Sequence, residues 1–119
     1  MTATDRAIEL TRAAAHAAAD KQADDLIAFD VSDQLAITDV FLLASASNQP
    51  QMNAVKDAIE EKLLELGAKT IRREGQRESR WILMDYGDIV VHIQHSEERA
   101  FYALERLWND CPAIDLQLS

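Results

Sequence analysis

A single cysteine, Cys111, stands among the 119 residues. No intrachain disulfide is available, and a reducing cytoplasm is the expected location. Read alone, that thiol is a buried or indifferent side chain rather than a nucleophile. Three glycines leave no glycine-rich cradle for phosphate, and neither GxGxxG nor the P-loop pattern GxxxxGK followed by Ser or Thr occurs. No GxSxG elbow marks a nucleophilic serine, and the HExxH arrangement of zinc enzymes is missing. No apolar run approaches the ~20 residues needed to span a bilayer. The opening segment, MTATDRAIELTRAAAHAAADK, carries acids and lacks the apolar stretch of a secretion signal. Positive charge is also scarce. Twelve basic residues against 21 acidic ones give a net charge of −9, which repels a phosphate backbone and argues against broad nucleic-acid binding.

What is present reads as one soluble α/β domain, large enough to bury a core without staples. Thr4–Asp20 has the pattern of an alanine-rich amphipathic helix, expected to dock on a surface because alanines bury little area. Asp24–Val31 alternates Leu26, Ala28 and Asp30 against Ile27, Phe29 and Val31, as a strand with two different faces does. Ser32-Asp33-Gln34 is turn chemistry. Val40–Ala46 is a continuous apolar run of strand length, expected to be buried on both sides. Asn48 and Pro50 then start a helix, whose stripe of Met52, Val55, Ile59, Leu63 and Leu66 ends at Gly67. Ala68–Arg73 reads as a third strand and Glu74–Ser79 as a polar loop.

Trp81–Met84 and Ile89–Ile93 flank the turn cluster Asp85-Tyr86-Gly87-Asp88 and predict a hairpin. A two-residue turn at Tyr86-Gly87 would set Met84 opposite Ile89 and Ile82 opposite Val91, with Trp81 beside His92 and Leu83 beside Val90 on the other face. A longer loop with Gly87 in the left-handed region satisfies the same residues. Ser96–Trp108 reads as a helix, capped by Ser96 and turning Phe101, Leu104 and Trp108 inward. Five strands and three helices imply a single mixed sheet with helices packed on it. Val40–Ala46, its helix and Ala68–Arg73 could form a right-handed parallel crossover. The domain is expected to span residues 1–112, with residues 113–119 as a C-terminal tail.

Few residues carry chemistry. His92 and His95, three apart on a strand, point to opposite faces and do not converge on a metal. The strand ending in Ser45-Ala46-Ser47 before a helix occupies the place where nucleotidyltransferases carry a Gly-Ser. Here the glycine is missing and no Asp-x-Asp pair follows. Asp85 and Asp88 bracket a turn rather than forming a metal clamp. Lys69, Arg72, Arg73, Arg77 and Arg80 form a basic cluster, either a solvated edge or a docking patch for something acidic. Trp81, beside Arg80, Asp85 and Tyr86, is either core under a helix or an aromatic anchor of the kind that dominates binding sites.

Several motifs together resemble one known family. Ile37-Thr38-Asp39, the strand to Ser45 and the helix from Asn48 are similar to one half of the ribosomal silencing factors, also called the Iojap family. Trp81-Ile82, the run Asp85-Tyr86-Gly87-Asp88-Ile89-Val90-Val91-His92, and Tyr102-x-Leu104-Glu105-x-Leu107-Trp108 are similar to the other half. Arg80 stands where the family often has an acid, and Asn109–Ser119 runs past its usual end. The resemblance implies a nucleotidyltransferase-like fold without the catalytic groups, so no enzyme, no cofactor and no metal. It implies docking on ribosomal protein number fourteen of the large ribosomal subunit, which blocks joining of the small subunit and represses translation when nutrients are short. It also implies a homodimer when free, and a partner-binding segment at Arg80, Trp81, Met84, Asp85 and Tyr86. The alternative reading is a nucleotidyltransferase-related enzyme.

Overall fold

The computed structural model describes residues 2–75, 80–102 and 104–118. Helix α1 (Asp5–Asp20) starts where the Thr4 hydroxyl accepts the Ala7 N–H at 3.0 Å. Strand β1 (Asp24–Asp30) follows, then β2 (Val40–Ala46). Helix α2 (Gln49–Glu65) is capped by the Asn48 side chain, which accepts the Gln51 N–H at 2.8 Å, with Pro50 in its first turn. Strands β3 (Arg72–Glu74), β4 (Trp81–Asp85) and β5 (Ile89–His95) complete the sheet. Helical segments α3 (Ser96–Tyr102) and α4 (Leu104–Leu107) come last, on either side of residue 103.

The strand order is β1-β2-β5-β4-β3, antiparallel except for the central β2–β5 pair. The mixed five-stranded sheet with packed helices expected from the sequence is therefore present. The crossover is not the expected one. β2 takes β5 as its parallel neighbour, and the segment after α2 forms only a three-residue edge strand paired to β4. Residues 68–71 stay outside that strand. The longer β5, buried at all but its last residue, outcompetes the charged and exposed Arg72–Glu74 for the central place.

Strand alternation divides the core into two unequal layers. Ala28, Val40, Leu42, Ile82, Met84, Ile89, Val91 and Ile93 pack under α1 and α2. The α2 stripe seals Met52, Val55, Ile59 and Leu63 completely, which contributes about 6–12 kcal/mol at ~1.5–3 per side chain. α1 does more than rest on a surface. Ala7, Ala14, Ala15 and Ala18 are fully buried, because small side chains let its backbone approach α2 and the sheet closely. The second layer is smaller: Phe29, Val31 and Leu43, with Phe41, Trp108 and Cys111 packed against them.

The hairpin register differs from the expected one by two residues. Met84 pairs with Val91 and Ile82 with Ile93. The Tyr86 N–H reaches the Ile89 carbonyl at 2.9 Å, so the turn is Gly87-Asp88 rather than Tyr86-Gly87. Gly87 takes φ +84°, the positive value that glycine adopts at the first central position of such a turn. A two-residue shift preserves which side chain faces which side.

The helix expected over Ser96–Trp108 is present as α3 and α4, on either side of residue 103, which lies outside the described residues, as do the side chains of Phe101 and Leu104. Ser96 does not cap it. Its hydroxyl donates to the Ala46 carbonyl at 3.0 Å, while His95 Nδ1 accepts the Glu97 N–H at 3.2 Å. The buried Arg99 fastens this helical region to β1. Its Nε donates to Glu105 at 2.9 Å and its Nη2 to the Asp25 carbonyl at 2.6 Å. Beyond Pro112 the chain is ordered along the free edge of β1. The Asp30 N–H donates to the Pro112 carbonyl at 2.8 Å and the Ile114 N–H to the Ala28 carbonyl at 2.9 Å. Leu116 is buried against the main core.

Candidate docking face

The sheet face turned away from α1 and α2 carries the candidate site. Because side chains alternate, β4 sends Trp81, Leu83 and Asp85 to this side, and β5 sends Val90, His92 and Gln94. β2 contributes Phe41 and Leu43. Trp108 meets Phe41 edge-on with ring centroids 5.1 Å apart, covering the β2 side of the face. Trp81 and Leu83, on β4, are only half-buried.

The five residues of the expected contact segment do not share one surface. Trp81 lies on this face, and its indole Nε1–H donates to His92 Nδ1 at 3.2 Å. Asp85 is half-buried, and its carboxylate accepts the Gly87 N–H at 2.8 Å, so it also shapes the turn. Arg80, exposed at the start of β4, donates to Glu98 at 3.0 Å and to Glu97 at 2.8 Å, clamping the first turn of α3. Met84 has 0% of its surface exposed and points into the α1–α2 layer. It is one residue out of phase with a docking face that includes Leu83 and Asp85. Tyr86 is 7% exposed and belongs to the same core, and burial pushes its hydroxyl pKa up. Neither Met84 nor Tyr86 offers free surface in this conformation.

His92 is the residue that strand patterning placed beside Trp81 without assigning it a role. It is 6% exposed, its ring meets Phe41 edge-on at 5.2 Å, and burial pushes its pKa down to about 4. It is therefore neutral at ordinary pH. His95 sits instead beside Arg80, 3.3 Å from the guanidinium. The two histidines do not converge. Among the described residues no group of three or more His, Cys, Asp or Glu side chains is placed to hold a metal ion. Gln94 is fully buried, and neither its amide oxygen nor its nitrogen has a hydrogen-bond partner.

The basic cluster is largely paired within the chain. Arg73 meets Glu60 at 2.9 Å, Arg72 meets Glu74 at 3.8 Å, and Arg80 has its two glutamates. Arg77 lies outside the described residues. These pairs favour the solvated-edge reading over a docking patch for an acidic partner. No helix is long and apolar enough to cross a membrane among the described residues.

Comparison with known proteins agrees with this architecture. The family model described as ribosomal silencing factor during starvation matches residues 4–119, so the match extends through the C-terminal segment. The chain is 37% identical over 109 residues to a protein named ribosomal silencing factor RsfS from Halalkalibacterium halodurans, covering 92% of this chain and 93% of that one. It is 38% identical over 107 residues to the protein of the same name from Bacillus subtilis, covering 90% and 91%. The chloroplastic protein Iojap of Zea mays is 31% identical, over 86% of this chain and 44% of its own length. A crystal structure of a protein from Chromobacterium violaceum superposes with a TM-score of 0.81 at 30% identity, covering 85% of this chain and 84% of that one. A family match over nearly the whole chain, two relatives of matching length and a shared fold lead to one assignment: the chain belongs to the ribosomal silencing factor family.

Proposed function

We propose that this protein docks on the large ribosomal subunit, at its ribosomal protein number fourteen, and represses translation by occupying ground the small subunit needs. The observation that carries the reading is a half-buried tryptophan on the sheet face opposite the helices, in a chain of this family. Trp81 supplies large apolar area with a polar edge, the composition of a binding anchor. Leu83 widens that area, and Asp85 and the Arg80–Glu98 pair make a polar rim around it. Obstruction requires affinity and bulk only, and no catalytic turnover. A net charge of −9 speeds encounter with a small basic protein on an RNA surface while disfavouring the RNA itself. In this reading the free protein is a cytoplasmic homodimer, and light scattering measures that state directly.

The test is Trp81→Ala. Co-sedimentation with purified large subunits is expected to weaken by ~2 kcal/mol or more, about thirtyfold in Kd, while circular dichroism stays native. Wild-type binding by the folded variant would remove Trp81 from the contact. An assay of subunit joining with the wild-type protein separates occlusion from mere attachment.

A further inference from the structure

The indole of Trp81 does not hold its orientation by packing alone. We infer that His92 is its positioning residue, accepting the indole N–H at Nδ1 and so setting the ring at the angle it presents to a docking partner. This rests on the proposed role of Trp81 in docking and adds the group that orients it.

Three observations carry the assignment. An indole nitrogen can only donate, so the 3.2 Å contact makes His92 Nδ1 the acceptor. The ring's single proton therefore sits on Nε2. That nitrogen is buried and has no hydrogen-bond partner, so the Trp81 bond is the polar contact that fixes the tautomer. The cross-strand neighbours of His92 are Leu43 and Leu83, with Phe41 against the ring edge. In such surroundings a leucine or phenylalanine would pack without leaving a buried donor unsatisfied. A histidine here costs stability, and what it adds is the acceptor for Trp81. The two rings are tilted 53° at a centroid distance of 6.0 Å, so the contact fixes direction rather than stacking.

Two substitutions separate orientation from packing. His92→Phe keeps a ring against Phe41 and removes the acceptor. His92→Asn removes the ring and keeps an oxygen close to the place of Nδ1. In ¹⁵N-labelled protein the Trp81 indole signal, assigned with Trp81→Ala, reports the bond through its shift and its exchange with water. His92→Phe is expected to move that signal, speed its exchange and weaken co-sedimentation about tenfold, the worth of one hydrogen bond. His92→Asn is expected to restore both towards wild type. An unchanged indole signal in His92→Phe overturns the inference. So does wild-type docking with a moved signal, or a folded His92→Asn that behaves like His92→Phe. Should the variants fail to fold, the wild-type imidazole still decides. A long-range ¹H–¹⁵N spectrum must show Nδ1 bare and Nε2 protonated, and the reverse tautomer overturns the assignment. Full binding by Trp81→Ala would overturn the docking role, while the indole signal would still report on the His92 bond.

Discussion

Acidification should destabilise this protein through the His92 imidazole before the Asp30 carboxylate responds. His92 is held at about 4 against an ordinary value of 6.5. Between those two values the unfolded chain binds a proton at this position and the folded chain does not. Stability therefore rises with pH across the window, and is lost as pH falls from 6.5 towards 4. The interval of about 2.5 pH units corresponds to about 3 kcal/mol, with about 2 kcal/mol already lost by pH 5. Asp30 answers later. Burial pushes its carboxyl up, but hydrogen bonds from Ser32 and Ala3 hold it below its ordinary 3.8. Its contribution is present above that value and disappears only as pH falls through the lower, folded one. The assay is urea unfolding at several pH values between 7.5 and 4, on wild type and on His92→Asn. The difference in unfolding free energy isolates position 92, since Asp30 is common to both proteins. It is expected to shift against wild type by about 3 kcal/mol across the series. A flat difference would refute the burial of a neutral imidazole at this position.

Two further substitutions probe the scaffold. Gln94→Met replaces a fully buried amide that has no hydrogen-bond partner with an apolar side chain of similar length, and should stabilise the fold by about 1 kcal/mol or more in urea unfolding. Equal or lower stability would mean that the amide is satisfied in solution. Gly87→Ala puts a side chain at φ +84° and its Cβ 3.1 Å from Ile71 Cδ1. A loss of about 1 kcal/mol or more is expected, read as a lowered thermal midpoint.

The elements were legible where a local signal repeats. The Met52–Leu63 stripe, the Asn48 and Pro50 start and the alternation from Leu26 to Val31 are properties of neighbouring residues, and the structure follows each of them. The two faces of β4 and β5 were also readable, since a register error of two residues leaves the alternation intact. The helix from Asn48 and the β4–β5 run were also among the segments that carried the family resemblance. Pairing was not readable, because the parallel partner of β2 is chosen by competition between segments distant in sequence. The ordering of the C-terminal segment along β1 depends likewise on backbone groups more than 80 residues away. Within the candidate site, sequence singled out Trp81, and the family resemblance extended the contact along the segment that holds Met84 and Tyr86. Folding assigns them to opposite sides of a strand and of its turn. His92 gained its meaning only once the hairpin brought its Nδ1 to the indole. A chain's local pattern sets which side of an element is apolar, whereas burial, hydrogen-bond partners and a shifted pKa are properties of what is packed against it.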